Sequence, residues 1–468
     1  MKTIINSRVG ESKGNLRLWL EGGKLARSGY APEDKYNIVV SGNKIILTRV
    51  ENGIFSISRR LRNGRILPLI EVTSARCKAL NTLFKVEQLV RIVVTENMIV
   101  ISQHHVDTRT SERETRLIET IVNNRPINSC ALFFGYGMLD RAAHDGMEAA
   151  GIRSRLSVAV EREAKYLDPA IDKNGKMFDQ DTFVIESPIQ FARLSEAVQV
   201  DCLIAGIPCT GASRAGKAKN KNKSAEDHPD AGAMVYYTLK WIEIMNPAIV
   251  ALENVCEYAS TESMAIIRSV LENLGYHLNE LVLSGHEFGC IEDRKRLCVF
   301  AVSKGLGILD IESVINQLSM NFVNKSECLA DVLDPIAADN SVWKTYDYLV
   351  SKEQNDISAG KGFRRQLLTG SETYCGTIGR HYNKARSTEP FIQHPDNPKL
   401  SRLLSVNEHA RVKGFPTEFI DENMPTTTAH EALGQGVIYP AFKSAFQALG
   451  QCLLEMIDRI IINEIQYS

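Results

Sequence analysis

The chain contains no CxxC pair; its ten cysteines stand singly along 468 residues. That absence argues against a zinc ribbon, a thioredoxin-type centre or any other cysteine metal site. Scattered thiols predict a reducing, cytoplasmic setting in which most are small core residues. The opening MKTIINSRVGESKG lacks the apolar core of a signal peptide. Nowhere do about 18 apolar residues run together, so no membrane partner is expected. Charge of one sign is also scarce, with 55 Lys+Arg against 56 Asp+Glu and a net of −1. Taken whole, that balance excludes a strongly basic nucleic-acid coat and a supercharged acidic protein. What remains is ordinary globular composition, 44% hydrophobic and 24% charged. The length suggests roughly two to four domains.

The near-zero net charge hides an asymmetry. Residues 1–125 carry 21 Lys+Arg and 12 Asp+Glu, net +9, whereas 126–468 carry 34 and 44, net −10. A basic arm on an acidic body marks the arm as a candidate for a polyanionic partner. The arm contains a weak repeat. LRLWLEGGKLARSGYAPEDKYNIVVSGNKIILTR (16–49) lines up with IEVTSARCKALNTLFKVEQLVRIVVTENMIVISQ (70–103), 54 residues later. Each copy predicts a strand, a short helix and a hairpin, NIVV-SGNK-IIL and RIVV-TENM-IVI. One such unit is too small to stand alone, so the copies are expected to pack as a pseudo-dimer. The pattern resembles the swapped-hairpin modules of AbrB- and SymE-like proteins, many of which bind DNA. Between the copies, SRRLRNGR brings Arg59, Arg60, Arg62 and Arg65 with no acid. Arg59 and Arg60 are candidate DNA contacts; a solvated loop on a structural β module is the alternative.

Residues 104–127 read as a charged linker running into a helix. From 128 to 303, strand and helix signals alternate. Strands are expected at CALFF (130–134), SVAVE (157–161), TFVIES (182–187), DCLIAG (201–206), AIVALENV (248–255) and RLCVFAV (296–302). Helices fall between them, for example over 234–245 and 263–275. That alternation predicts an α/β, doubly wound, Rossmann-like domain with a parallel sheet. Residues 304–425 are less periodic and read as a second, smaller lobe. The segment 426–468 includes a long amphipathic helix over 439–461, returning to the first lobe.

Four constellations carry chemistry. After the first strand, Gly135 and Gly137 let the backbone pass close to a ligand at a helix start. Glu161, closing the next strand, offers a carboxylate to ribose hydroxyls, and Glu186, closing the third, to an adenine amine. Cys209 follows Pro208 at the carboxyl end of another strand, where open α/β sheets bind ligands. The loop beyond it holds Arg214, Lys217, Lys219, Lys221 and Lys223 and no acid before Glu226. A basic loop beside a thiol suits a lid closing a polyanion over a nucleophile. Glu253 ends a further strand and is placed for acid catalysis. Arg294 and Arg296 precede the last strand, where alternation lets both face one side. Taken singly, each has a plainer alternative: a tight turn, a core thiol, a solvated carboxylate or surface charge.

Together, FFGYG, IPCTGAS, ENV, EDRKR, RLLSVNEHARVKGFP (402–416) and ALGQGVIYP (432–440) appear in an order and spacing that resembles the C5-cytosine DNA methyltransferases. The resemblance covers about residues 128–303 and 400–460. Thr210, Glu292, Asn407 and Gln435 depart from its motifs, while Cys209, Glu253, Arg294 and Arg296 match. It implies an enzyme that takes S-adenosylmethionine as cofactor and acts on flipped-out cytosine in double-stranded DNA. Cys209, Glu253, Arg294 and Arg296 would be catalytic. Phe133, Gly135, Gly137, Glu161, Glu186, Pro208, Gln435 and Val437 would line the cofactor site. Ser213, Arg214, Lys217, Thr377, Arg380 and Arg402 would meet DNA, with 304–425 as the target-recognition lobe. The catalytic unit is expected to be monomeric, of bacterial or phage type, in a restriction-modification role. Two alternatives stay open. One is a tRNA methyltransferase of the same fold, for which Cys375-Gly376-Thr377 is the nearest motif match. The other is a DNA-binding regulator whose fold only senses the cofactor.

Overall fold

The computed structural model describes residues 1–193, 198–208, 226, 232–322 and 328–467. The chain divides into two compact units, Met1–Glu112 and Arg113–Ser468, the division falling within the helix His105–Val122.

The first unit is built from β1 (Thr3–Arg8), β2 (Gly10–Ser12), β3 (Asn15–Glu21), β4 (Lys35–Ser41), β5 (Lys44–Arg49), β6 (Phe55–Ser56), β7 (Ser58–Arg62), β8 (Arg65–Thr73), β9 (Leu89–Val94) and β10 (Met98–Gln103). Each repeat copy is a strand, a short helix (Gly23–Ala26 or Ala79–Leu83) and a hairpin. The copies pair through β3 with β8 and β5 with β10, both antiparallel. Leu18 faces Val72 and Ile46 faces Val100. Both pairs join equivalent positions 54 residues apart, so a pseudo-twofold axis passes through them. Alternation along these strands sends Leu18, Leu20, Ile45, Leu47, Ile70, Val72, Ile99 and Ile101 into one shared core. The Arg-rich junction is not a loop. It forms the hairpin β7–β8, closed by Asn63 and Gly64 at φ 48° and 73°. Asn-Gly with two positive φ values is the two-residue turn whose twist matches its flanking strands.

In the second unit a seven-stranded sheet collects β11 (Ile127–Leu132), β12 (Ser154–Glu161), β13 (Phe183–Glu186), β14 (Cys202–Gly206), β15 (Ile249–Asn254), β16 (Tyr276–Ser284) and β17 (Lys295–Ser303). Their order is β13-β12-β11-β14-β15-β17-β16. β11 to β15 are parallel, while β17 runs antiparallel to both of its neighbours. Helix packing on both faces explains the near-continuous apolar strands. On one face Ala131, Ala159, Ile204 and Phe300 meet Ala142, Phe442 and Phe446. On the other Val158, Leu203, Val250 and Leu252 meet Trp241, Ile242, Ile267 and Leu271. The last helix, Tyr439–Tyr467, lies so close to Met138–Ala149 that a Cβ on Gly146 would meet the Lys443 carbonyl at 2.4 Å. β16 had no expectation from sequence. Its burial alternates irregularly, so its pattern matches no strand template.

A smaller sheet, β18 (Gln366–Leu368), β19 (Pro390–Gln393) and β20 (Ser401–Arg402), belongs to a separate core around Ile291, Leu329, Ile378, Tyr382, Ile392, Leu404 and Val412. Among the described residues no helix is long and apolar enough to cross a membrane.

Candidate active site

Parallel pairing brings the carboxyl ends of β11, β12, β13, β14 and β15 to one edge of the sheet, the edge where such folds bind ligands. At β11 the chain turns through Phe133, Gly135 and Gly137, all at positive φ (59°, 58° and 75°). A non-glycine residue rarely accepts that conformation, so Phe133 is held there by its surroundings. Glu161 at the end of β12 fixes the turn. Its Oε2 accepts from the Gly135 N–H at 2.7 Å, and its Oε1 accepts from Arg162 and Glu163 at 2.9 and 3.0 Å. Glu186 stands opposite Glu161 in register and is exposed. Tyr136 donates to the Phe419 carbonyl at 2.6 Å, tying the turn to the segment after RVKGFP.

The reversal of β17 decides the chemistry of the other half. An antiparallel strand presents its amino end where its neighbours present carboxyl ends. Arg296, next to the start of β17, therefore arrives beside Glu253, next to the end of β15. Arg296 Nε lies 3.0 Å from Glu253 Oε1, and the two side chains are only 13% and 14% exposed. Burial pushes the Glu253 carboxyl above the usual carboxylate range, opposed by Arg296 and then Arg294. Gly206, closing β14, is the register partner of Glu253. Asn254 Nδ2 donates to the Ile207 carbonyl at 3.1 Å, and Asn254 Oδ1 accepts from the Val255 N–H at 2.9 Å. It thus clamps the chain just before Pro208. The sequence assigned no role to Asn254; its place between Glu253 and Val255 was the only signal.

Arg294 differs from Arg296 because it precedes the strand, where alternation does not apply. It is 4% exposed and its Nη1 donates to the Ile378 carbonyl at 3.2 Å, with Glu292 Oε1 at 3.4 Å. Thr377 Oγ1 donates to the Asp293 carbonyl at 3.0 Å. Arg380 Nη2 donates to Tyr166 Oη at 3.1 Å. Gly434 lets this segment approach, since a Cβ there would meet the Gly379 carbonyl at 2.4 Å. Gln435 is exposed, its amide donating to the Glu431 carbonyl, and Val437 is buried in the main core. Arg402, expected to shape the small lobe and to meet DNA, is not at the surface: it is 3% exposed and holds Glu408 through two bonds of 2.6 and 2.8 Å, so it braces the small lobe. Arg59 and Arg60 sit on β7, paired with Glu33 at 2.6 Å and Glu21 at 2.8 Å. Cys209, Ser213, Arg214 and Lys217 lie outside the described residues. Phe133 and Pro208 are half-buried at the strand-end edge.

Residues 129–451 match the family of C-5 cytosine-specific DNA methylases, more than half of the chain. The chain belongs to that family. It is 26% identical over 254 residues to the type II methyltransferase M.SsoII of Shigella sonnei, covering 52% of this chain and 62% of that one. The chain thus spans about three fifths of that relative. It is 23% identical over 397 residues to a DNA-cytosine methyltransferase of Escherichia coli, covering 73% and 82%. The fold is similar to the S. pombe Dnmt2 methyltransferase, with a TM-score of 0.55 at 18% identity over 70% of this chain and 99% of that one. The methylase family match leaves residues 1–128 outside it.

Proposed function

We propose that the chain methylates C5 of cytosine in double-stranded DNA, taking the methyl group from S-adenosylmethionine. The observation that carries this is the buried Glu253–Arg296 pair at the strand-end edge, next to the segment that leads into Cys209. A type II restriction-modification setting follows the names of the bacterial relatives.

The turn after β11 fits the cofactor. The space where Gly135 would carry a Cβ holds nothing nearer than the Phe133 carbonyl at 4.0 Å. Glu161 and Glu186 end adjacent strands beside it. Phe133, Gly135, Gly137, Glu161, Glu186 and Pro208 would hold the cofactor, which supplies an electrophilic methyl group when bound. Gln435, ending the helix Thr426–Gln435, and Val437, just before the helix Tyr439–Tyr467, would add to the site.

C5 of cytosine is too weak a nucleophile to react unaided, and covalent catalysis solves this. The Cys209 thiolate adds to C6, and Glu253 gives a proton to N3, leaving an enamine whose C5 is electron-rich. Arg296, with Arg294 behind it, steadies the charge at O2. Transfer of the methyl group to C5 would leave the bonding pair on the donor's sulfur, and the C5 proton then passes to solvent water. The C5–H electron pair expels the Cys209 thiolate, N3 returns its proton to Glu253, and 5-methylcytosine is released. Inside a duplex the base is out of reach, so it is flipped out at a cost of a few kcal/mol. Ser213, Arg214 and Lys217, together with Thr377 and Arg380 of the recognition lobe, would meet the DNA.

The test is transfer of labelled methyl from S-adenosylmethionine to duplex DNA and to tRNA, beside Cys209→Ala. The expected result is label in DNA cytosine with wild type and none with the variant. Label in tRNA alone would replace the substrate. Transfer surviving Cys209→Ala would remove the covalent step. No transfer to either would leave a cofactor-sensing regulator.

A further inference from the structure

The match to the methylases starts after the first unit, and the chemistry above uses none of its residues. Its most unusual feature is the apex of the β7–β8 hairpin. Cross-strand register sets Arg62 directly opposite Arg65, with Leu61 opposite Ile66. All six residues from Leu61 to Ile66 are exposed, Leu61 at 73% and Ile66 at 59%. Like charges facing each other across a ladder destabilise a hairpin, and exposed apolar pairs add nothing to it. The apex is therefore shaped against its own stability, which points to a partner.

Strand alternation decides what each face carries. Arg60, Arg62, Arg65 and Leu67 share one face; Leu61 and Ile66 share the other. The basic face borders a cavity of about 330 Å³ lined by Glu21, Lys24, Arg27, Arg60, Arg62 and Leu67 among others. One carboxylate there serves two guanidiniums. Glu21 holds Arg60 at 2.8 Å and Arg62 at 2.9 Å. Lys24, Arg27 and Arg65 add exposed charge on the same side. The Arg60 guanidinium also lies 5.0 Å from the Trp19 ring centre, and Trp19 Nε1 bonds Glu21 at 2.9 Å. Partly exposed ion pairs of this kind are worth little in water, so the arginines can exchange Glu21 for a stronger anion while their direction is already set.

We propose that this hairpin is a duplex-DNA grip, its basic face laid on backbone phosphates. Arg62 and Arg65 contact phosphates at the apex, and the cavity at its base takes a third. A two-stranded ribbon has the width that a DNA groove admits, and arginine matches phosphate through paired donors. The choice of duplex DNA rests on the methyltransferase reading of the second unit; the anion-binding face does not.

The experiment measures binding of the full chain to a short DNA duplex as a function of salt, beside Arg62→Ala/Arg65→Ala. Two lost phosphate contacts should lower the slope of log K against log salt by about 1.8 and weaken binding at low salt at least tenfold. Methyl transfer at saturating DNA should be unchanged. An unchanged slope and affinity would overturn the proposal. Leu61→Ser/Ile66→Ser tests the competing occupant, a second copy of this chain. Loss of self-association in that variant, with DNA binding intact in both, would make the hairpin an interface between copies. Salt-dependent binding through Arg62 and Arg65 in a chain that transfers no methyl would keep the grip and sink the enzyme.

Discussion

Lys413 Nζ lies 2.5 Å from Glu292 Oε2, and both side chains are wholly enclosed. Glu292 opens EDRKR on the catalytic side and also accepts from the Ile378 N–H at 2.8 Å. Lys413 ends the helix that carries HARVK into the small lobe. Where the resembling motif has glutamine, this chain has a charge, and Lys413 supplies the countercharge. Burial works to raise Glu292, but Lys413 and Arg294 hold it below the usual carboxylate range. Burial, then Arg294, pushes Lys413 down to about 8. Removing one member of a buried pair costs about 3–5 kcal/mol, whereas replacing both is far milder. Lys413→Met should therefore destabilise the chain by about that amount in urea unfolding. Glu292→Gln/Lys413→Met should recover most of it. If the double variant is as unstable as the single, the pair is not a matched replacement.

Asn254 should matter to rate more than to binding. Its amide holds the Ile207 carbonyl, two residues before Cys209. Asn254→Ala leaves that buried carbonyl without the bond, a loss of about 1–3 kcal/mol, enough to loosen Ile207-Pro208, which lead into the proposed nucleophile. Single-turnover methylation should slow about ten- to hundredfold, since 1.4 kcal/mol is tenfold. Cofactor affinity should stay within a factor of a few. A variant that loses cofactor binding and keeps its rate would refute this placement.

Glu253 carries a different expectation because the proposed reaction uses its proton. Burial holds its carboxyl above the usual range, which keeps a protonated fraction at higher pH than a solvated glutamate would. Rate should fall as pH rises through that raised value. Glu253→Gln, which cannot give up a proton, should lose about 10²–10⁴-fold in rate and flatten that limb of the profile. A retained limb in the variant would assign it to another group.

These sites differ in how far the sequence exposes them. The strand ends at Glu161, Gly206 and Glu253 follow from near-continuous apolar runs, because a parallel strand buried on both faces has few other readings; Glu186 ends a largely exposed edge strand. The duplication was visible too, since Ile46 and Val100 occupy matching positions before they face each other. The direction of β17 was not, because strand polarity leaves no mark on composition. With it went the reason Arg296 reaches Glu253 while Arg294 turns to Ile378. Arg402 was placed by the resemblance alone, both as a shaper of the small lobe and as a DNA contact, and only tertiary packing reveals Glu408 beside it. The hairpin at 58–73 was masked by its arginines, although Asn63-Gly64 carried the turn signal.

Asp140 gives the last expectation, one of stability against pH. It sits in the first turn of Met138–Ala149, 7% exposed, and its Oδ1 has no hydrogen-bond partner. Ser129, His144, Ser154 and Cys202 line the same small cavity. Burial raises its carboxyl to about 7 from an ordinary 3.8. The folded chain therefore keeps a proton that the unfolded chain has lost between those two values. Stability must fall as pH rises from about 4 to about 7, and level off above. The full loss is on the order of 4 kcal/mol, at 1.36 kcal/mol per unit. Asp140→Asn removes the titration and keeps the shape. Its advantage over wild type in urea unfolding should be small near pH 4 and should grow steadily to neutral pH. Parallel curves across that range would mean that the Asp140 carboxyl ionises in the folded chain as readily as in water.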